Sequence, residues 1–514
     1  TTPAATFAAL APVVPAISVS IASPPKVNFT LTDSAGNAIV GLGAQSKDAG
    51  CIRSGTDYLT VPCYTNLAFS LAKLVPGTNG SPSKWVSYIV TTVPTYKSAT
   101  DKTIVDAVPR GPIYDVEGTL VDNKDGTYTY TFARDITKVK DIVAAATLTA
   151  PNVAADLGDL TYDPTLTHRL TIAISGNARG TGTNTADGSN SGVTAVRMEN
   201  AVNAIYDFIP ATGKPVAATD TQREVVAIGS CNQCHEKLAM HGAGMVDTRY
   251  CVVCHTDQRK YGRTNVASTA NSFPALTETA TVNAITGITS YRYSPLTYVA
   301  DGQVSGNFPN LVHKIHQGKD LVKQNYNYAN VVFNNKGFSM LGGGQKMCSK
   351  CHDNTKAAQA DNWGAVPSRL ACGACHDGIN FASGAGTTLA GAATGHVGKA
   401  QSGDALCALC HGAADIKVYH QTVNKTKHNP TIAAGLVDFT YEIKSAAVKA
   451  NNDVTVVFKI NADGAALTTL PPAGFTGGPG FLLAWAVAQD GIAAPADFNN
   501  MGNAKGDATS IGIA

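Results

Sequence analysis

Ten of the twelve cysteines stand in Cys-x-x-Cys pairs, and a histidine follows each of the five pairs directly. The motifs are Cys231-Asn-Gln-Cys234-His235, Cys251-Val-Val-Cys254-His255, Cys348-Ser-Lys-Cys351-His352, Cys372-Gly-Ala-Cys375-His376 and Cys407-Ala-Leu-Cys410-His411. Cys-x-x-Cys-His is the c-type haem attachment sequence. Its two thiols add to the porphyrin vinyl groups as thioethers, and the adjacent imidazole becomes the proximal iron ligand. Two plainer readings compete. Sixteen residues separate Cys234 from Cys251 and twenty separate Cys351 from Cys372, gaps that also suit a zinc ribbon. A zinc ribbon needs no histidine after each pair, however. With only twelve histidines in 514 residues, its recurrence in all five motifs decides for haem. A redox-active pair would need a thioredoxin-like βαβ setting, which the sequence does not display. The pattern implies five covalently bound haem c groups.

Five irons then need five more ligands or five open sites. Seven histidines remain: His168, His241, His313, His316, His396, His420 and His428, and all but His168 fall within residues 231–428. His241 lies six residues after His235, which is not a same-face helical spacing, so it points away from its own haem and toward another. His313 and His316, spaced i, i+3, share one helix face and suit two closely packed haems, one imidazole each. His396 sits in Gly-His-Val-Gly, where glycine permits close backbone approach to a porphyrin. One of the last two completes the set; His420 is favoured over His428 because it precedes the His-Asn-Pro break on a helical stretch. Met240, Met245, Met340 and Met347 are alternative axial ligands, the weaker choice where histidine suffices. His168, in a run with Leu170, Ile172 and Ile174, reads as a surface or strand histidine.

Filled axial positions leave no iron open to substrate, which implies electron transfer rather than small-molecule catalysis. Residues 231–428 offer about forty residues per haem, too few for five insulated pockets, so the porphyrins must pack closely. The enzyme alternative is a multihaem reductase with one open site, of the nitrite-reductase kind; those carry a Cys-x-x-Cys-Lys motif that is absent here. Metal-reductase activity stays open. A third class, in which β domains serve adhesion and the haems merely fill space, sits poorly with five covalent cofactors. The remaining pair, Cys51 and Cys63, suggests a structural disulfide in an oxidising compartment.

Composition narrows the partners. Only 15% of residues are charged, 49 are glycine, and the formal net charge is +2, so no basic footprint for nucleic acid exists. Ferric bis-histidine haems with ionised propionates would bring this to about −3. No apolar stretch spans a bilayer: Pro3, Pro12 and Pro15 break the start, and Phe481–Ala488 is too short. Starting at Thr1 without a basic leader, the chain reads as a mature protein whose export signal is gone or never existed.

The expected fold class is multidomain α+β: a β-sandwich or split-barrel-like domain, a haem-organised helix/loop pentahaem domain, and a second β region. Residues 1–20, rich in Ala, Pro and Thr, read as a linker or tether. In the β domain, 21–210, Val27, Phe29 and Leu31 alternate before Gly36-Asn37, and Tyr128, Tyr130 and Phe132 alternate after Asp125-Gly126. Pro210, Gly213 and Pro215 mark a linker into the pentahaem domain, 211–430, which shows little strand alternation and includes an irregular insertion at 256–347. In 431–514, Phe439, Tyr441, Ile443 and then Val454, Val456, Phe458, Ile460 flank Asn451-Asn452-Asp453 as a hairpin.

Three stretches carry a family likeness: Ser23-Pro24-Pro25-Lys26-Val27, Ile205-Tyr-Asp-Phe-Ile-Pro210, and above all Cys231-Asn-Gln-Cys-His-Glu-Lys-Leu-Ala-Met-His241-Gly with Leu311-Val-His-Lys-Ile-His-Gln-Gly318. With them the chain resembles the OmcA/MtrC family of outer-surface multihaem cytochromes. The resemblance implies two split-barrel β domains alternating with two pentahaem domains. It also implies an extracellular, outer-membrane-surface location, and electrons passed from a porin–cytochrome conduit or other multihaem cytochromes to metal oxides, humics or flavins. This chain has one pentahaem segment and stops partway through a second β region. It is expected to be either a portion of a decahaem chain or a five-haem relative. In the second case conduction over distance requires self-assembly, as in a cytochrome filament. Intact mass is expected to show five covalently added haems; any other number refutes the motif reading.

Overall fold

The computed structural model describes residues 3–43, 63–92, 108–182, 193–282, 289–329, 348–389, 391–420, 437–470 and 478–485, with a few isolated positions and short strand pairs elsewhere. It divides into two compact units, Thr1–His420 and Gln421–Ala514.

In the first unit, alternation builds two antiparallel sheets around one core. One sheet runs Val13–Ser20, Lys26–Thr32, Thr127–Thr131, Thr119–Asp122. The other runs Lys214–Pro215, Val202–Ile209, His168–Ile174, Leu67–Val75, Lys84–Ser87. Val27, Phe29, Leu31, Tyr128 and Tyr130 of the first sheet meet Phe69, Leu71, Leu170, Ile172 and Ile174 of the second. Phe69 and Tyr130 stack at 3.8 Å across the interface. Burying such rings drives the sandwich, each apolar side chain contributing about 1.5–3 kcal/mol.

Two expectations fail here for physical reasons. The Ala/Pro/Thr-rich start is not a tether: Ala4–Ala8 is helical and Val13–Ser20 pairs with Lys26–Thr32. Pro15 is tolerated because this is an edge strand with a register shift between Val13 and Ala16, so its missing N–H costs little. For His168 the surface alternative fails and the strand alternative holds, since it begins strand His168–Ile174. It is fully buried, its Nδ1–H donating to the Leu166 carbonyl at 2.8 Å and its Nε2 accepting from the Tyr88 hydroxyl at 3.1 Å. Burial draws its pKa down to about 4, so it is a satisfied neutral core histidine.

His168–Ile174 is buried along its whole length, not on alternate residues, because the motif-bearing segment covers its outer face. Helix Thr248–Cys254 packs there, Val253 and Cys254 joining Ala72, Leu74 and Trp85 in a small cluster. Arg169 points the same way, paired with Asp207 at 2.7 Å and lying 4.3 Å over Trp85. Two further contacts fix the segment. Gln258 extends the Lys84–Ser87 edge: its Oε1 accepts from the Ser87 N–H, and its Nε2 donates to the Ser87 and Leu157 carbonyls, all at 2.9 Å. The Ser81 hydroxyl donates to Asp404 at 2.7 Å, beside Gly80, whose φ of +78° and closeness to Ala405 admit no side chain.

Residues 210–215, read as a linker, form a tight turn whose Lys214–Pro215 strand pairs back onto Phe208 and Ile209. The motif segment is made of short helices, as its pattern suggests. The insertion is less irregular than it reads. Thr277–Val282 and Thr289–Ser294 form an exposed hairpin, and Phe273, Ala300, Leu321, Tyr326 and Phe333 build a separate small core. In the second unit Phe439–Val448 and Val454–Ala462 form the expected hairpin, with a bulge between Ile443 and Ser445.

Gln258→Ala would strand buried backbone groups of Ser87 and Leu157. The expected loss is about 2 kcal/mol or more, read as an earlier chemical-denaturation midpoint by far-UV circular dichroism. An unchanged midpoint would show that the clamp is dispensable.

Candidate haem-binding site

Each motif is one helical turn. The helices are Ile228–His235, Thr248–Cys254, Cys348–Cys351, Arg369–Gly373 and Cys407–Cys410. In the last four motifs the histidine N–H donates to the first cysteine's carbonyl at 2.8–2.9 Å. That turn puts the two thiols, spaced i, i+3, on one face with the histidine at its end. Side-chain caps start two of the helices: Asp247 accepts from the Arg249 N–H, and Ser368 from the Ala371 N–H.

Opposite each motif histidine stands a second one. Ring centres are 6.1 Å apart for His235 and His316, 5.9 Å for His255 and His241, and 6.2 Å for His352 and His313. They are 6.3 Å apart for His376 and His420, and 6.2 Å for His411 and His396. Every pair takes one histidine from a motif and one from outside. An imidazole nitrogen binds a first-row metal at about 2.0–2.1 Å, and the ring centre lies about 1.1 Å further out. Two imidazoles on opposite sides of one iron therefore have centres about 6.3 Å apart. The chain fits the group. It does not fit zinc in the same way: among the described residues no three His, Cys, Asp or Glu side chains gather as a tetrahedral site requires.

The nitrogens face the right way. Nδ1–H donates to a backbone carbonyl in His255 (Gly306, 2.9 Å), His316 (Val312, 2.8 Å), His396 (Lys399, 3.0 Å) and His420 (Ile416, 2.7 Å). This leaves Nε2 bare for a metal and fixes the ring plane. Burial holds His255 and His313 down to about 4, in the neutral form that ligation requires. The thiols of Cys251, Cys348 and Cys375 are pushed up to about 12, mainly by burial, the opposite of an activated redox pair.

Local structure explains the outer ligands. His241 is re-aimed by a left-handed run, φ being +51°, +70° and +62° at His241, Gly242 and Ala243, closed by the Met240–Met245 backbone bridge. His313 and His316 share helix Phe308–Gln317, whose Leu311 and Ile315 rest on the insertion's core. That buttress is the insertion's structural contribution. His396 follows Gly395, φ +64°, where a Cβ would strike the Gly384 carbonyl. His420 ends helix Ala413–Tyr419. The Met240 side chain is exposed. His428, Met340, Met347, Cys51 and the side chain of Cys63 lie outside the described residues.

The motifs also neighbour one another in a fixed order. Burial is the main cause of the raised thiols, and like charge adds to it between neighbouring motifs: from Cys231 on Cys251, and from Cys231 and Cys234 on Cys351. Cys375 does the same to Cys348, and Cys407 to Cys372. In space the order is second, first, third, fourth, fifth. Trp363 lies between the third and fourth pairs, 6.3 Å from His352 and 6.2 Å from His420. No sequence signal marks this tryptophan, whereas the amphipathic pattern of 308–317 could have revealed the insertion's core.

Residues 223–421 match the family model described as outer membrane cytochrome MtrC/MtrF-like, domains II/IV. The multiheme cytochrome MtrC of Shewanella baltica (strain OS185) is 26% identical over 299 residues, 58% of this chain and 29% of the relative. The crystal structure of MtrC from Shewanella baltica OS185 aligns over 89% of this chain and 51% of its own, at 20% identity and a TM-score of 0.43. That of the outer membrane decaheme cytochrome OmcA aligns over 91% and 56%, at 19% identity and 0.46. The chain thus spans about half of these structures and under a third of the curated relative.

His313→Ala is expected to leave all five porphyrins attached and to open one iron. Electron paramagnetic resonance should then show one haem in five as high-spin ferric, able to bind cyanide. A wholly low-spin spectrum would refute the pairing of His313 with His352.

Proposed function

Because this chain is a multihaem cytochrome of the OmcA/MtrC family, we propose that it carries five bis-histidine c-type haems and passes respiratory electrons along them to acceptors outside the cell or to partner cytochromes. The observation that carries the reading is the set of five histidine pairs at the spacing of two ligands on one iron. When bound, haem supplies a one-electron ferric–ferrous couple. Cys231 and Cys234 anchor the first, with His235 and His316 as ligands; Cys251 and Cys254 the second, with His255 and His241; Cys348 and Cys351 the third, with His352 and His313. Cys372 and Cys375 anchor the fourth, with His376 and His420, and Cys407 and Cys410 the fifth, with His411 and His396.

The chain's residues do three things in this scheme. Each pair of imidazoles would hold its iron from both sides and so leave no site for a substrate. Carbonyl-bonded Nδ1 atoms hold the ring planes still while charge changes. The serial order of the motifs supports a route through the segment with the second and fifth sites at its ends. The domains are then a β domain at 21–210 that also takes in the strands Val13–Ser20 and Lys214–Pro215, a pentahaem domain within 211–430 and a second β region at 431–514, with Cys51 and Cys63 disulfide-bonded. A place on the outer-membrane surface is supported by the kinship with outer membrane cytochromes, and among the described residues no helix is long and apolar enough to cross a membrane. A porin–cytochrome conduit or another multihaem cytochrome is the donor in this reading; metal oxides, flavins or humics are acceptors, and self-assembly is a further partnership.

The ferric protein is expected to be entirely low-spin, and neither cyanide when oxidised nor carbon monoxide when reduced should bind. A high-spin, ligand-binding fraction in the unaltered protein would sink the bis-histidine reading and favour a reductase.

A further inference from the structure

The helix that carries His313 and His316 also carries a buried cation between them. Lys314 is 3% exposed. Its Nζ lies 3.9 Å from the centre of the Tyr326 ring and 3.4 Å from the carbonyl of Ala374, a residue inside the fourth motif. Asp377, directly after His376, faces it electrostatically. The Asp377 carboxylate accepts the Val322 and Lys323 N–H groups at 2.9 Å each. Lys323 and Asp301, the other charges nearby, are paired with each other. Lys314 thus touches a carbonyl and a ring face, while its opposite charge, Asp377, acts on it without a direct hydrogen bond and accepts the Val322 and Lys323 N–H groups instead. Lysine is almost never this buried unless paired, and an apolar side chain of the same length would fill the space without the desolvation cost.

We propose that Lys314 is a positioning residue that ties the ligand helix to the fourth motif, and that its buried charge biases the adjoining haems toward their reduced state. This rests on the five-haem reading. A haem gains one negative charge on reduction, and a fixed positive charge in a low-dielectric interior stabilises that state more than it would in water. Lys314 adjoins the outer ligands of the first and third sites in sequence and touches the attachment loop of the fourth. One charge thereby acts at the middle of the series, while the second and fifth sites lie beyond it.

The test is a spectroscopically resolved redox titration of the holo-protein at constant pH. Lys314→Met should keep five haems by intact mass and a low-spin ferric spectrum, while the reduction equilibrium of at least one haem falls about tenfold, 59 mV for a one-electron couple. Lys314→Arg should restore it. Asp377→Asn, which removes the facing negative charge, should move the same haem the other way. Unshifted potentials, or shifts of one sign in both the Met and Asn variants, would overturn the proposal. If the Met variant fails to take up five haems, the Asn variant decides alone, an unshifted or lowered set refuting it. A haem count other than five in the unaltered protein would instead sink the reading beneath it.

Discussion

Everything in the motif segment depends on one constraint: a flat cofactor has to be gripped from both sides by rings that come from different parts of the chain. The near ring is local, one turn after its thiols. The far ring arrives from a neighbouring turn for His241, from a helix within the 256–347 insertion for His316, and from the end of a later helix for His420. Helices of four to ten residues hold the motifs and the Phe308–Gln317 ligands. Such lengths are marginal alone in water. On the five-haem reading, ligation replaces much of what an apolar core does elsewhere, and each pair cross-links segments that have few apolar contacts of their own.

The remaining rigidity is borrowed. The sandwich supplies a stiff wall through Val253 and Cys254 on Ala72 and Leu74, and through the Gln258 and Ser81 hydrogen bonds. The insertion supplies a second wall behind Leu311 and Ile315. Between them the ligand helix cannot roll, since its apolar face is committed to one side and its histidines to the other. An electron carrier gains from this, because a site that moves little when its charge changes wastes little energy on reorganisation.

Much of this was legible in the sequence, for reasons that differ by element. Val27, Phe29 and Leu31 announce a half-buried strand because period-two alternation has no other cheap explanation. The His313/His316 spacing announces one face of a helix. Which histidine meets which motif was not legible, because the pairing is tertiary: nothing in Gly-His-Val-Gly says that His396 stands opposite His411 rather than His376. The Val13–Ser20 strand was hidden by Pro15, harmless only because the strand is an edge. His168 could be read as a strand or a surface histidine; it is a strand residue but not an exposed one, because a period-two strand predicts one dry face and here the motif segment dries the other.

Five sites with one ligand set raise the question of how a series could have any gradient at all. Ligand identity, the strongest lever on a haem potential, is uniform in this scheme, so differences must come from burial, hydrogen bonding and nearby charge. The surroundings do differ. The imidazoles of His255, His316, His396 and His420 each have a carbonyl on Nδ1, which makes a ring a better donor to ferric iron, whereas the Nδ1 of His313 is buried without such a partner. His411 and Cys410 at the end of the order are exposed, while Cys254 is buried at the other. The third site thus has the least-assisted outer ligand, while the second has the most buried attachment turn. On the five-haem reading each feature favours the reduced form at its own site, where the Cys-x-x-Cys-His motif looks the same as the others.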